Sequence, residues 1–265
     1  MSNAATSNGK RKYVPKRNWA GTIAYILLAA YLLYVLTLFD INLQRMYVGI
    51  DRGAEFIGRM MPPNFERYAL LIEGMLESLQ IAVIATTVGV ILSLPVGFLA
   101  ARNLMPAWVT WPARAIIVAC RSFHPVIVAI LFVKAVGFGA LAGSMALVVA
   151  SIGFISKLFA EAIEEISLKQ IEAIRATGAP FSSVITYGVL PQVMGRFIGF
   201  ISYQLDSNLR NSTMVGIVGA GGIGGTLFAA FQRFDYDFVS AILISIIAVI
   251  MVAEGVNNIM RKLYR

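Results

Sequence analysis

The sequence predicts an all-α fold: a polytopic membrane protein with six transmembrane helices. Three observations predict it. Apolar residues make up 58% of the 265-residue chain and charged residues only 14%, with a mean hydropathy of +0.76, a balance that a soluble domain of this size does not carry. The apolar residues fall in runs of about 20, enough for a helix to cross a hydrocarbon core about 30 Å thick. Lys and Arg are distributed unequally between the two sets of loops that such spans would leave outside the membrane.

Residues 1–18 are small, polar and basic, with Lys10, Arg11, Lys12, Lys16 and Arg17. They read as a disordered cytoplasmic tail, with a lipid head-group anchor as the alternative. Residues 19–39 form the first transmembrane helix. A signal peptide would also place basic residues before an apolar run, but this run is longer than a signal core and no small-x-small cleavage site precedes Asp40. Residues 40–74 form an extracytoplasmic connection. Within it Ala54, Ile57, Met60 and Met61 have the spacing of one helix face and Pro62–Pro63 follow, which predicts a short helix lying on the outer membrane surface, or else an ordinary loop.

Residues 75–260 form the core of five further spans. The second span covers 81–101, with Glu73 and Glu77 just before it and a kink at Pro95 and Gly97. Residues 102–114 make a short inner loop that holds Trp108 and Trp111 at interface height. The third span runs through 115–137 and contains Arg121, Ser122, His124 and Pro125. The fourth covers 141–159 and is rich in Ala, Gly and Ser, which let helices approach closely. Residues 161–191 are the longest polar stretch inside the apolar sequence, read as two short helices and a turn. Gly178 is placed to cap the first helix in the left-handed conformation, Pro180 suits the first turn of the second, and Leu190–Pro191 closes the unit. Residues 197–231 are too long for one span: a helix to about Val215, a glycine-rich break at 216–225, then a short segment to Phe231. The last span is 238–257, followed by a basic C-terminus, 261–265, with Arg261, Lys262 and Arg265.

Six spans put both termini on one side. Fourteen of the 22 Lys and Arg residues then lie on that side, six lie opposite, and Arg121 and Arg210 fall within spans. The positive-inside rule assigns the tail, the polar stretch and the C-terminus to the cytoplasm. The net charge of +8 is scattered at span ends rather than gathered in a stripe, which argues against nucleic acid as a partner. One cysteine, Cys120, allows no internal disulfide, and one Cys with one His is too few for a metal site. No nucleophile stands beside a base, so no catalytic residues are expected and the chain does not read as an enzyme. It also lacks a G-x-x-x-x-G-K-[ST] phosphate loop, so no cofactor is expected on this chain.

Three groups of residues invite a functional reading. Gly219, Gly221, Gly222 and Gly224 spell G-x-G-x-x-G, but they follow a membrane helix with no soluble strand–turn–helix around them, so they read as a hinge or gate, or as close helix packing, and not as a dinucleotide site. Arg121 and Arg210 are costly inside spans and should face the bundle interior; Asp206, one turn before Arg210, can pair with it. With Ser122, His124, Asn208, Asn211, Ser212 and Thr213 nearby in sequence, they form either an anion translocation path or a polar packing network. His124 reads as a packed polar residue before a proton relay. The polar stretch itself reads as a rigid pair of helices able to transmit a push.

That stretch resembles the EAA loop of ABC importer permeases. Glu172–Ala173, Gly178 five residues beyond Ala173, and Leu190–Pro191 twelve and thirteen residues past Gly178 match its spacing, while Ile174 replaces the third motif residue and Gly188 replaces an Ile. The wording IEAIRATGA and YGVLPQV is similar to the phosphonate permease branch (PhnE-like). The resemblance covers roughly residues 70–260. It implies a type I ABC importer permease fold in a bacterial inner membrane and a cytoplasmic coupling loop in which Glu172, Ala173, Arg175, Gly178, Leu190 and Pro191 meet the ATPase. It also implies a second permease copy as a homodimer, two cytoplasmic ATPase subunits carrying ATP and Mg, an extracytoplasmic binding protein, and a phosphonate or related phosphorus oxyanion such as phosphate or phosphite as cargo. The R-S-F-H-P run is similar to an Arg-Ser-x-Pro run of the family, with one extra residue before Pro125. An importer for another small solute, such as methionine or a quaternary amine, and a secondary transporter or channel are the other readings.

Overall fold

The computed structural model describes residues 19–38 and 43–263, so the basic tail 1–18, the boundary at Asp40 and Arg265 lie outside the described residues. Among the described residues every regular element is a helix. The chain divides into two units, residues 1–57 and 58–265, so the compact body begins ahead of residue 75.

In the first unit α1 (Trp19–Leu38) is apolar on every side and buries none of its residues. A helix apolar all round belongs in lipid. The amphipathic α2 (Leu43–Arg59), whose last turn crosses the boundary between units, ends just before Pro62–Pro63 as the spacing predicts, but starts well ahead of Ala54.

The second unit contains α3 (Tyr68–Ala100), α4 (Ala107–Ser122), α5 (Pro125–Val136), α6 (Ala140–Glu164), α7 (Leu168–Ala176), α8 (Phe181–Ser183), α9 (Leu190–Ile217), α10 (Ile223–Gln232) and α11 (Tyr236–Leu263). Five described helices are long and apolar enough to cross a membrane, α1 among them, and α4 with α5 supply a sixth if that bent pair is one span.

Two predicted spans need correction. The second starts 13 residues earlier than predicted: α3 has 33 residues, about 50 Å at 1.5 Å per residue, and Glu73 and Glu77 lie inside it. A helix longer than the hydrocarbon core tilts or projects beyond it, so charged residues in its first turns are compatible with a span. The helix also continues without interruption through Pro95. The third span is not one helix: α4 and α5 meet at 90°. The ring of Pro125 disfavours helical backbone at the residue before it, and His124 sits at φ −66°, ψ 141°. Pro125 then opens α5 while the Val126 N–H donates to His124 Nδ1 at 3.3 Å, so His124 is a helix cap.

Helix α6 is the centre of the unit, packing against α3 above all and also against α4, α5 and α9. Small residues on the facing helices permit this, because a Cβ on Gly89 of α3 would overlap the Cβ of Ser151 on α6. The seam encloses a polar network. Asn208 Nδ2 donates to Ser151 Oγ and to Thr86 Oγ1, both at 2.9 Å, and Gln204 Nε2 donates to Ser151 Oγ and to Asn208 Oδ1, both at 3.0 Å. All four residues are buried. The network therefore joins α3, α6 and α9 in a register that apolar contacts alone would not specify.

Replacing Asn208 by Leu strands polar atoms of Thr86, Ser151 and Gln204, and should destabilise the chain by about 1–2 kcal/mol, read as a lower thermal unfolding midpoint in mild detergent. Asn208→Asp, which buries a charge among uncharged partners, should lower the midpoint further.

Candidate functional site

The stretch 161–191 runs from the end of α6 through α7 and the Gly178 turn into α8 and the start of α9. One face of α7 is anchored: Ile171 is buried and joins Ile163, Val184, Val189, Val193 and Phe197 in a cluster shared with α6 and α9. The other face presents Glu172, Ala173 and Arg175 to the surface. The helix ends at Thr177 and the chain turns at Gly178, where φ is +73°. That conformation costs a residue with a Cβ about 1–2 kcal/mol, and Gly178 is the predicted cap. Pro180 stands one position ahead of its predicted place, just before α8.

Leu190–Pro191 does not close the unit. Helix α8 passes through a π-helical turn (Val184–Val189) into α9, so 181–217 is one continuous element. Pro191 explains the wide turn: it lacks an N–H and its ring presses on the carbonyl one turn earlier, and inserting one residue relieves both. The Leu190 N–H accordingly donates to Ile185 O. Gln192 then ties the assembly together. Its Nε2 donates to Gly188 O at 2.6 Å and its Oε1 accepts the Ser167 N–H at 3.1 Å, at the start of α7. Leu190 is half-buried and Pro191 exposed. Sequence reading missed Gln192, and its only signal was its place beside Pro191.

The two departures from the EAA spacing face each other. Gly188 is buried, and a Cβ there would lie 3.1 Å from Ile174 Cδ1. The bulk absent at position 188 is supplied from position 174, so the pair conserves volume where α7 meets the π turn. The exposed side of the loop also carries apolar surface that the reading passed over: Leu168, Phe181 and Tyr187 are exposed, Tyr187 by 72%.

The predicted path residues separate into two groups. Arg121 and Ser122, on the last turn of α4, line a cavity of about 520 Å³ between α4, the end of α3 and the end of α6. His124 lies just beyond, exposed at the α4–α5 corner. Arg210 is on α9, paired with Asp206 as the spacing predicts, and neither it nor Thr213 lines the cavity. Asn208 and Ser212 are wholly enclosed by the chain, and Asn208 belongs to the packing network; Ser212 Oγ donates to Leu209 O at 2.7 Å. For these two the packing alternative describes the observed contacts.

The glycine-rich break spans 218–222, with φ of +85°, +81° and +79° at Gly219, Gly221 and Gly222. It is tightly held. The Gly139 N–H donates to Gly219 O at 3.0 Å, and the Ile223 N–H donates to Ser78 Oγ at 2.9 Å. A Cβ at Gly221 would lie 2.6 Å from Ala140 N, one at Gly222 would lie 2.5 Å from Ser78 Oγ, and one at Gly224 would overlap Thr213 O. In this conformation Gly221, Gly222 and Gly224 serve close packing against α6, α3 and α9, and Gly219 against Phe138 in the α5–α6 link.

The size exchange in the loop is open to a double-mutant cycle. Gly188→Ile alone should lower the thermal unfolding midpoint in mild detergent, and adding Ile174→Ala should restore most of it, because the overlap is removed.

Residues 93–265 match the family model described as binding-protein-dependent transport system inner membrane component. The phosphate-import permease protein PhnE of Mycolicibacterium smegmatis is 36% identical over 97% of this chain, which spans 48% of that relative's length. The phosphite transport system permease protein PtxC of Stutzerimonas stutzeri is 39% identical over 82% of this chain and 79% of its own length. Among solved structures the MetNI methionine ABC transporter in an inward-facing conformation has a chain that superposes with a TM-score of 0.66 at 23% identity, over 76% of this chain and 99% of that one. At that identity the superposition shows the fold, the type I ABC importer permease arrangement. With its multi-pass helical core and a family match over most of its length, the chain belongs to the binding-protein-dependent transport system inner membrane components.

Proposed function

We propose that this chain is the membrane subunit of an ATP-driven importer of phosphorus oxyanions (phosphonate, phosphate or phosphite). The observation that carries the reading is the anchored loop: α7 exposes Glu172, Ala173 and Arg175 beside the Gly178 turn while Ile171 and Gln192 tie it to α6 and α9. The relatives named for phosphate and phosphite transport support the cargo class.

The loop docks on a cytoplasmic ATPase, and ATP and Mg bind that partner. Two such ATPases act on two permease copies, and a binding protein delivers the cargo on the opposite side. The excess of Lys and Arg supports a cytoplasmic position for the loop and both termini. Mechanically, a push on α7 enters the core through Ile171 and reaches α9 through the π turn and Gln192. Because these contacts are packed and hydrogen-bonded, displacement is passed on as rigid-body motion rather than absorbed by the turn. Arg121 and Ser122 stand on the path, with the cavity at the end of α6 as its loop-side mouth, and the glycine break at 218–222 is the gate.

A Cβ at Gly178 meets nothing within 4 Å, so substitutions there act through backbone strain and through the docked partner. Gly178→Val should leave ATPase activity in the assembled transporter but reduce ATP-driven uptake at least about ten-fold, the effect of roughly 1.4 kcal/mol, while Gly178→Asn, which tolerates the left-handed conformation, keeps most of it. Wild-type uptake by the Val variant would sink the coupling assignment. In proteoliposomes carrying the ATPase and binding protein, phosphate, phosphite and methylphosphonate should be taken up only with ATP. Uptake of methionine alone would overturn the cargo, and uptake without ATP would overturn the class.

A further inference from the structure

The cavity between α3, α4 and α6 holds more positive charge than its own carboxylates use. Its walls carry Arg102, Arg114, Arg121 and Lys157 against Glu161, above an apolar floor that includes Ile117 and Ala160. Arg114 is committed, its Nη2 donating to Glu164 Oε1 at 2.6 Å and its Nε to Ala100 O at 3.0 Å. Lys157 and Glu161 approach only to 3.5 Å, with both side chains close to half exposed, a geometry of little energetic weight. Among the described residues no carboxylate lies within ion-pair distance of the Arg102 or Arg121 guanidinium.

The position of Arg121 is built. A Cβ at Gly153 of α6 would lie 2.7 Å from Arg121 Cγ, so the absence of a side chain there lets the Arg121 stem lie along α6. Seven residues, about 10 Å of helix rise, separate it from Arg114 on the same stripe of α4. The cavity's volume, about 520 Å³, falls within the range of roughly 300–1,000 Å³ typical of small-molecule sites.

We propose that this cavity binds a phosphoryl or phosphonyl dianion, with the Arg102 and Arg121 guanidinium groups as its main donors and Lys157 as a third. Two guanidinium forks without carboxylate partners among the described residues match the charge of a dianion, and each fork can donate to its terminal oxygens. The apolar floor excludes water from one side and strengthens each charge-assisted hydrogen bond. Glu161 opposes the ligand and engages Lys157, so it sets the affinity from the same wall. Ser122 contributes no donor, because its hydroxyl already donates to Val118 O at 2.8 Å. The chemistry is shared by a free phosphorus oxyanion and by a lipid phosphate. A free oxyanion rests on the importer reading above; a lipid phosphate does not.

The test uses the full chain purified in neutral detergent. Binding of labelled inorganic phosphate and of methylphosphonate is measured at constant ionic strength, and retained phosphatidylglycerol is quantified by mass spectrometry. Saturable phosphate binding that Arg121→Gln weakens about ten-fold, and that Glu161→Gln tightens, supports the site with a free oxyanion as ligand. Absent phosphate binding, with retained phosphatidylglycerol that falls several-fold in Arg121→Gln and rises in Glu161→Gln, supports the same site with a lipid phosphate. Neither ligand bound, or binding unchanged in both variants at wild-type thermal midpoint, overturns it. If Arg121→Gln fails to fold, Lys157→Gln and Glu161→Gln carry the comparison, with opposite signs expected. Uptake of phosphate by the wild-type transporter is measured in parallel: its absence sinks the importer reading, and its presence beside unchanged binding in the variants sinks only the site.

Discussion

Ser151 Oγ, enclosed between three helices, accepts hydrogen bonds from both Gln204 and Asn208, and the Asn208 amide reaches on to Thr86. In water such groups would each find a partner on their own. Inside a bilayer they find one only if α3, α6 and α9 meet in this register. Gly89 permits the close approach and the network sets its position along the helix axes. The rest of the second unit depends on that choice. The loop end of α6 carries the cluster that anchors α7, its α4-facing side carries the buried Gly153 under Arg121, and its start packs against the glycine break that follows α9.

The loop shows how a firmly held segment is made from short helices. Nine residues of α7 would not hold a helix in isolation. Ile171 buries it, the Gly178 turn sends the chain back without a long link, and Gln192 joins its first turn to the next helix. The π turn before Pro191 widens the following helix just where Gly188 must admit Ile174. Each device removes freedom from the same segment, which is what the coupling role proposed for it requires.

Charge is handled in two ways within a short distance. Glu164 gathers the Arg102 N–H and the Arg114 guanidinium and binds the α3–α4 connection to α6, while Asn103 Nδ2 donates to Ile163 O at 2.7 Å in the same connection. These polar contacts are structural, and Asn103 Oδ1 alone among their side-chain atoms is buried without a hydrogen-bond partner. Arg121 and the Arg102 side chain stand beside them without carboxylate partners among the described residues, and that contrast marks the cavity wall as a place for a ligand rather than for a strut.

Much of this molecule was legible in its residues. Apolar runs, their lengths and the uneven Lys and Arg determined an all-helical membrane protein, because lipid leaves the backbone few other solutions. Glu172, Gly178 and Pro191, by spacing, located the loop, and Gly178 and the Asp206–Arg210 pair involve only neighbours in sequence. What depended on distant partners was not legible. The bend at His124 was hidden inside a hydrophobic run, because average hydropathy does not register one proline. The early start of α3 was obscured by Glu73 and Glu77, since charge suggests an end where the helix merely outruns the membrane. Asn208 and Arg121 looked alike as polar residues in spans, yet one is enclosed by Thr86, Ser151 and Gln204 and the other opens on a cavity. The sequence by itself determined the class of fold and the place of the loop, through local propensity and transfer free energy. Only the tertiary structure decided which polar groups satisfy one another and which remain free, because that depends on which helix faces meet.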